Sequence, residues 1–326
     1  MTKHRMKILL TRKLHEFAMI ELKKRYDVYV HNGEIPMPRG KLLSKISQVD
    51  GLVCFPYDII DKEIIENAKK LKVISTYSVG YDHIDLQKAK LHKIKIGYTP
   101  DVLTNATADL AVALLLDSMR RVTEGDRIIR SGDWKVIFGP HDYVGTDIEG
   151  KTIGIFGMGR IGRAVAKRIT PFGMKITYHS RHRLSKSQEK KLNAKFVSLD
   201  ELFEKSDAVS IHIPYTKETH EVVNMRLLKK MKKTSHLINT SRGKIINEKD
   251  LAKALRSNMI AGAALDVFEK EPIGRNHELA KMKNVVLAPH IGSSTIETRK
   301  KMAEITIKNL IYGLGEKRMI YSVNLD

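Results

Sequence analysis

Apolar and polar positions alternate in blocks from the start of the chain. Strand-like runs at 6–10, 28–30, 51–55 and 73–77 are separated by charged, amphipathic stretches at 14–25 and 61–70. Parallel neighbours need a long connection and a helix supplies one, so this alternation predicts a parallel sheet with crossover helices. Past Pro100 the pattern changes: residues 105–120 are apolar on nearly every face and predict a buried helix. A second series follows, with strand-like runs at 152–156, 175–178, 208–213, 236–239, 262–265 and 285–288. These suffice for one doubly wound sheet. The helical stretch 295–312 has no strands left in that series, and its simplest home is on the first one. No internal repeat or low-complexity segment breaks the order.

At 326 residues the chain exceeds the size at which one hydrophobic core keeps growing, so an α/β fold in two domains is expected. The longest apolar stretch, 108–116, contains Asp109 and is too short to cross a bilayer, and residues 1–12 lack a signal-peptide core. A cytoplasmic protein with no membrane partner is the expectation. Cys54 is the single cysteine, which leaves no intrachain disulfide and no multi-cysteine zinc site, and no metal site is expected. It reads as a small apolar residue at a strand end. The formal net charge of +21 raises nucleic-acid binding. Yet the basic residues are scattered among acidic ones and no aromatic-interleaved basic motif is present, so a general basic surface suited to small anions is the better reading.

Between the run 152–156 and the helix-like run 163–170 lies Gly157-Met158-Gly159-Arg160-Ile161-Gly162. Strand, glycine turn and helix are what a dinucleotide pyrophosphate requires: a tight turn at Gly157, backbone approach at Gly159, and close helix packing at Gly162. Its position, far into the chain, means that another folded unit precedes it. About twenty residues on, an NAD site carries an acid for the ribose hydroxyls. Here the strand ends in His179-Ser180-Arg181-His182-Arg183. With no carboxylate to repel a 2′-phosphate, and Ser180, Arg181 and His182 able to bind one, NADP(H) is preferred and NAD(H) remains possible.

Three further segments, 239–243, 265–272 and 289–293, each place polar residues just past a predicted strand, where ligands bind in open α/β sheets. They deliver Arg242, Glu271 and His290, a set suited to carbonyl reduction. Taken singly, each has a plainer reading as a surface cation, a solvated acid and a helix cap.

With these segments the sequence resembles the D-isomer-specific 2-hydroxyacid dehydrogenases over essentially its whole length. The matching motifs are 77–85, 105–110, the glycine turn, Ser241-Arg242-Gly243, 266–272 and Pro289-His290-Ile291-Gly292. Within that family Ser180-Arg181 and the segment from Trp134-Lys135 to Gly139-Pro140 are most similar to glyoxylate/hydroxypyruvate and 2-ketogluconate reductases. The resemblance implies a Rossmann NAD(P) domain, 102–290, inserted into a flavodoxin-like substrate domain, 1–101 with 291–326, and an active site in the cleft between them. It also implies a homodimer whose contacts include helix 105–120, the interdomain spine, and the segment around Trp134.

By motif, Arg242 binds substrate and polarises its carbonyl, His290 donates the proton and Glu271 is its partner, while Ser78, Val79 and Gly80 form the carboxylate-binding turn. Along the cofactor the resemblance places Thr107, Met158, Arg160, Ile161, Ile213, Pro214, Thr219, Thr240, Ser241, Asp266 and Gly292, with Asp266 tuning the site. The implied reaction is NADPH-preferring reduction of a small 2-oxo acid to the D-2-hydroxy acid. Relatives of the same fold include NAD(H)-sensing corepressors and dehydrogenases of other small anions, so a regulatory binding protein is the competing class. Formate-type members lack a glutamate at the position of Glu271.

Overall fold

Parallel strands joined by helices build both halves of the chain in a computed structural model that describes residues 5–137, 139–315 and 317–325. The expected domain ranges and the segment 134–140 also include residues 1–4, 138, 316 and 326, which lie outside the described residues. The chain divides into two units, Met1–Leu103 with Ser294–Asp326, and Thr104–Ser293.

The first unit runs β1 (Lys7–Leu10), α1 (Glu16–Arg25), β2 (Asp27–Val30), α2 (Arg39–Ile46), β3 (Gly51–Cys54), α3 (Lys62–Asn67), β4 (Val73–Thr76), α4 (Leu86–Leu91) and β5 (Lys95–Gly97). Its five strands are parallel in the order β2-β1-β3-β4-β5, the flavodoxin-like arrangement. Side chains alternate across the sheet: Ile8 and Leu10 enter one core and Leu9 the other. Cys54 is fully buried and its thiol is pushed up by burial, which makes it an inert core residue.

The second unit begins with α5 (Thr104–Arg120) and α6 (Val122–Arg130) and continues through β6 (Thr152–Phe156), α7 (Arg160–Ile169), β7 (Lys175–His179), α8 (Lys186–Leu192), β8 (Ala194–Phe196), α9 (Leu199–Lys205) and β9 (Ala208–Ile211). After these come α10 (Met225–Leu228), β10 (His236–Asn239), α11 (Glu248–Arg256), β11 (Gly262–Leu265) and β12 (Val285–Leu287). Its seven parallel strands are ordered β12-β11-β10-β9-β6-β7-β8. The direction of winding reverses between β6 and β9, and this is the switch point at which open α/β sheets bind ligands. The fold is the Rossmann arrangement with an added edge strand. The last helix, α12 (Ile296–Leu314), packs Met302, Ala303, Ile307, Leu310 and Leu314 against Ile8, Leu10, Val53 and Val73 of the first unit.

Three expectations change. Helix α5 is two-sided: Ala108, Ala111, Val112, Leu115 and Met119 are buried, whereas Asn105, Asp109, Ala113 and Arg120 are exposed. Arg168 of α7 takes Asp109 at 2.5 Å and Asn105 at 3.2 Å, which gives the polar stripe its partners. Second, the units part at 103/104 and 293/294, beyond the expected 101/102 and 290/291. Backbone bonds explain the later edge, because Ile291 and Gly292 donate to Asp266 and Gly292 accepts from Thr107, all in the second unit. Third, α6, which buries none of its residues, and the three-residue β8 add two elements to those expected. No described helix is long and apolar enough to cross a membrane.

Candidate active site

The glycine turn leaves β6 at the switch point. Gly157 has φ +104° and donates its N–H to the His179 carbonyl at 2.8 Å, and a Cβ there would lie 2.7 Å from the His212 carbonyl carbon. Gly162 faces a backbone oxygen, that of Gly157, 2.2 Å from where its Cβ would be. Both must be glycine for the fold itself. Gly159 differs: nothing lies within 4 Å of its Cβ position. The open face stands at the N-cap of α7, whose first amides, as at any helix start, lack intrahelical acceptors. This cradle fits a dinucleotide pyrophosphate.

Around it the predicted cofactor residues divide into two sets. Met158 is buried in the core, so its backbone alone is available to a ligand. The hydroxyls of Thr107, Thr219 and Ser241 donate to the carbonyls of Gly292, Pro214 and Ile213, and are left able only to accept. Thr240 Oγ1 is buried with no partner among the described residues. Past β7, Arg183 is committed to Glu189 by two bonds of 2.8 and 3.0 Å, which hold that carboxyl down at about 2 together with the Tyr178 hydroxyl. His179 is stacked on Phe196 with Nδ1 3.0 Å from the Val197 carbonyl oxygen. In the rest of the basic loop Ser180 is half-buried and Arg181 and His182 are exposed, with Arg181 in electrostatic reach of Glu218 beside Thr219.

Arg242, Glu271 and His290 follow β10, β11 and β12, three neighbouring strands of one sheet. Asn239, fully buried, builds the first turn: its side chain accepts the Ser241 N–H at 3.0 Å and donates to the Arg242 carbonyl at 2.9 Å. The next residue, Gly243, lies so close to the Phe268 carbonyl that a Cβ would fall 1.9 Å from it. This contact brings the Arg242 turn against the loop that carries Glu271. His290 Nδ1 lies 2.6 Å from Glu271 Oε2, and Glu271 Oε1 accepts the Phe268 N–H at 3.0 Å. Burial alone would raise the Glu271 carboxyl, but the hydrogen bond and charge of His290, the Phe268 amide and the nearby Arg242 together hold it below the usual range. It therefore remains ionised and keeps the imidazole oriented.

His290 adopts φ +53°, uncommon for a residue with a side chain. The cause is Asp266, almost wholly buried. Its carbonyl accepts the His290 N–H at 2.9 Å, and its two carboxylate oxygens accept those of Ile291 at 2.7 Å and Gly292 at 2.8 Å. Three successive amides are held by one residue. Each of the Asp266 carboxylate oxygens accepts a protein amide, so the residue anchors the histidine turn. Burial pushes its carboxyl up, opposed by the same two amides.

In the first unit the turn after β4 is also built from within. Ser78 Oγ donates to the Gly80 carbonyl at 2.6 Å and lies 2.7 Å from Thr76 Oγ1, which is 3.1 Å from His83 Nε2. The buried Ser78 hydroxyl shapes the turn, and Val79 and Gly80 are its outer part.

Residues 112–292 match the family described as D-isomer specific 2-hydroxyacid dehydrogenase, NAD binding domain. The chain is 49% identical to a glyoxylate reductase of Thermofilum pendens over 308 residues, 94% of this chain and 91% of that one. The chain belongs to the D-isomer-specific 2-hydroxyacid dehydrogenases. Among solved structures, a Thermus thermophilus protein matches with a TM-score of 0.90 at 42% identity, covering 98% of this chain and 100% of that one. An NADPH-dependent glyoxylate/hydroxypyruvate reductase of Sinorhizobium meliloti, solved with NADP and malonate, matches with a TM-score of 0.85 at 28% identity over 98% of this chain and 97% of that one. As a member of this family the enzyme is a nicotinamide-dependent oxidoreductase of 2-hydroxy acids, and the cradle at Gly159 is where its second unit can take that cofactor.

Proposed function

We propose that the enzyme reduces a small 2-oxo acid of the glyoxylate, hydroxypyruvate or 2-ketogluconate type to the 2-hydroxy acid, D-configured where a stereocentre forms, with NADPH preferred over NADH. The observation that carries this is the hydrogen-bonded His290–Glu271 pair beside Arg242, in the loops that follow three neighbouring strands. When bound, the nicotinamide cofactor supplies the hydride. The Arg242 guanidinium is a planar fork that can bind the substrate carboxylate and stabilise charge on the carbonyl oxygen. In the first unit, the turn of Ser78, Val79 and Gly80 offers backbone donors of the kind a carboxylate takes. Nδ1 of His290 is held by Glu271, which leaves Nε2 to donate a proton to that oxygen and, in the oxidative direction, to take one back. The first turn of α7 would hold the pyrophosphate, and Ser180, Arg181 and His182 a 2′-phosphate.

The experiment is NADPH oxidation by the purified protein with glyoxylate, hydroxypyruvate, pyruvate and 2-ketogluconate. No turnover with any of the four overturns the reading. For the cofactor loop, Ser180→Asp with Arg181→Ala removes a charge-assisted contact and adds a repelling carboxylate. The NADPH/NADH ratio of kcat/KM should then fall about 10–100-fold, the worth of a hydrogen bond to a charged group. An unchanged ratio would refute the 2′-phosphate site.

We also propose a homodimer. Helix α6 buries none of its residues, and Val122, Ile129, Trp134, Ile137 and Val144 are all more than half exposed, from 55% for Val144 to 89% for Ile137. An apolar face of this kind marks an interaction surface. Light scattering should give twice the chain mass of 37.0 kDa for the wild type and the single mass for Ile129→Glu with Ile137→Glu. A wild-type monomer would contradict the proposal.

A further inference from the structure

Glu248, the first residue of α11, lies outside the three segments that carry the chemistry, yet both of its carboxylate oxygens are engaged. Oε1 accepts the Glu269 N–H at 2.5 Å, and Oε2 lies 3.4 Å from His277 Nε2. The preceding amide, that of Phe268, is the one accepted by Glu271 at 3.0 Å. Two successive N–H groups of one turn are thus each held by a carboxylate, one belonging to the reacting pair and one reaching in from another helix. The same Phe268–Glu269 peptide is pressed against Gly243, next to Arg242.

A carboxylate at a helix start interacts favourably with the helix dipole without leaving water. Glu248 has left it: its side chain is only 13% exposed, and burial pushes its carboxyl up against the opposing pull of the Glu269 amide and His277. His277 is similarly committed. Its ring packs edge-on to Phe268 at 6.2 Å, and its Nδ1 is buried with no partner among the described residues, so Glu248 is the polar anchor of the imidazole.

We propose that Glu248 is a positioning residue for Glu271 and that His277 orients Glu248, so that a second carboxylate–imidazole pair fixes the turn from which the first one works. The inference rests on the proposed role of the Glu271–His290 pair in proton transfer. A carboxylate held loosely would leave His290 Nε2 misaimed at the moment of donation, and misplacement on the ångström scale is costly to rate.

The test uses the full-length enzyme with saturating NADPH and a 2-oxo acid that the wild type turns over. Glu248→Ala should lower kcat about tenfold and leave the KM for NADPH within about twofold, because the glycine turn is untouched. Glu248→Gln, whose amide oxygen can still accept the Glu269 N–H, should restore most of the rate. In a Glu271→Gln background Glu248→Ala should cost nothing further, since the effect passes through Glu271. Should Glu248→Ala fail to fold, His277→Phe, which keeps the ring on Phe268, should lower kcat about threefold with the same dependence on Glu271. Losses that persist in the Glu271→Gln background, or variants that lower Tm while kcat is unchanged, overturn the inference. A wild type without turnover would instead overturn the functional reading on which it rests.

Discussion

Replacing His290 with glutamine is expected to lower kcat by about 10²–10⁴-fold, the range a positioned general acid contributes. The KM for the 2-oxo acid should move by no more than about threefold, because a residue that acts mainly in the transition state contributes little to ground-state binding. Glutamine is the informative replacement. It can donate to Glu271 Oε2 and fill the space of the ring, but it has no proton to transfer. The turn should survive the change, since Asp266 holds residues 290, 291 and 292 through backbone amides that every side chain shares. Steady-state kinetics with glyoxylate and NADPH, with circular dichroism to confirm folding, decide the matter. A loss below about tenfold would remove His290 from the proton-transfer role.

Strands such as β3, β4, β9, β10 and β11 are legible as short runs because they are buried along their whole length. What the pattern misses has physical causes. In β8 (Ala194–Phe196) a lysine occupies the middle of three residues, so no apolar run exists to be seen. Helix α6 is amphipathic but buries none of its residues, so its apolar side adds nothing to the core that the rest of the pattern outlines. Arg242, Glu271 and His290 stand out because they close strands in recognisable segments. The roles of Asp266 and Glu248 do not, since their ligands are backbone amides more than twenty positions away, and an amide is the same at every residue. The inward turn of the Ser78 hydroxyl to Gly80 and Thr76 is equally silent in the sequence, because its partners are a backbone carbonyl and a second hydroxyl.

Arg242→Ala is expected to lose on both axes. Removing a donor that stabilises developing charge on the carbonyl oxygen costs about 10²–10³-fold in kcat. Losing a charged hydrogen bond to the substrate carboxylate should raise its KM about 10–100-fold. Arg242→Lys separates charge from shape: it keeps the cation but not the planar fork, so it should recover part of the affinity and little of the rate. The turn should survive the change, because Asn239 fixes the Arg242 backbone and Gly243 packs the next residue against Phe268, although the alanine variant also loses the guanidinium's bond to the Ser241 carbonyl at 2.9 Å. The guanidinium has one further effect, since it helps to hold the Glu271 carboxyl below its usual range. Its loss should therefore weaken the ionisation of Glu271 in acid, and with it the rate contributed by His290, so that Arg242→Ala and His290→Gln combine to less than the product of their separate losses. Small and equal effects of the two substitutions would undo both assignments, because a binding residue and a proton donor must divide KM and kcat differently.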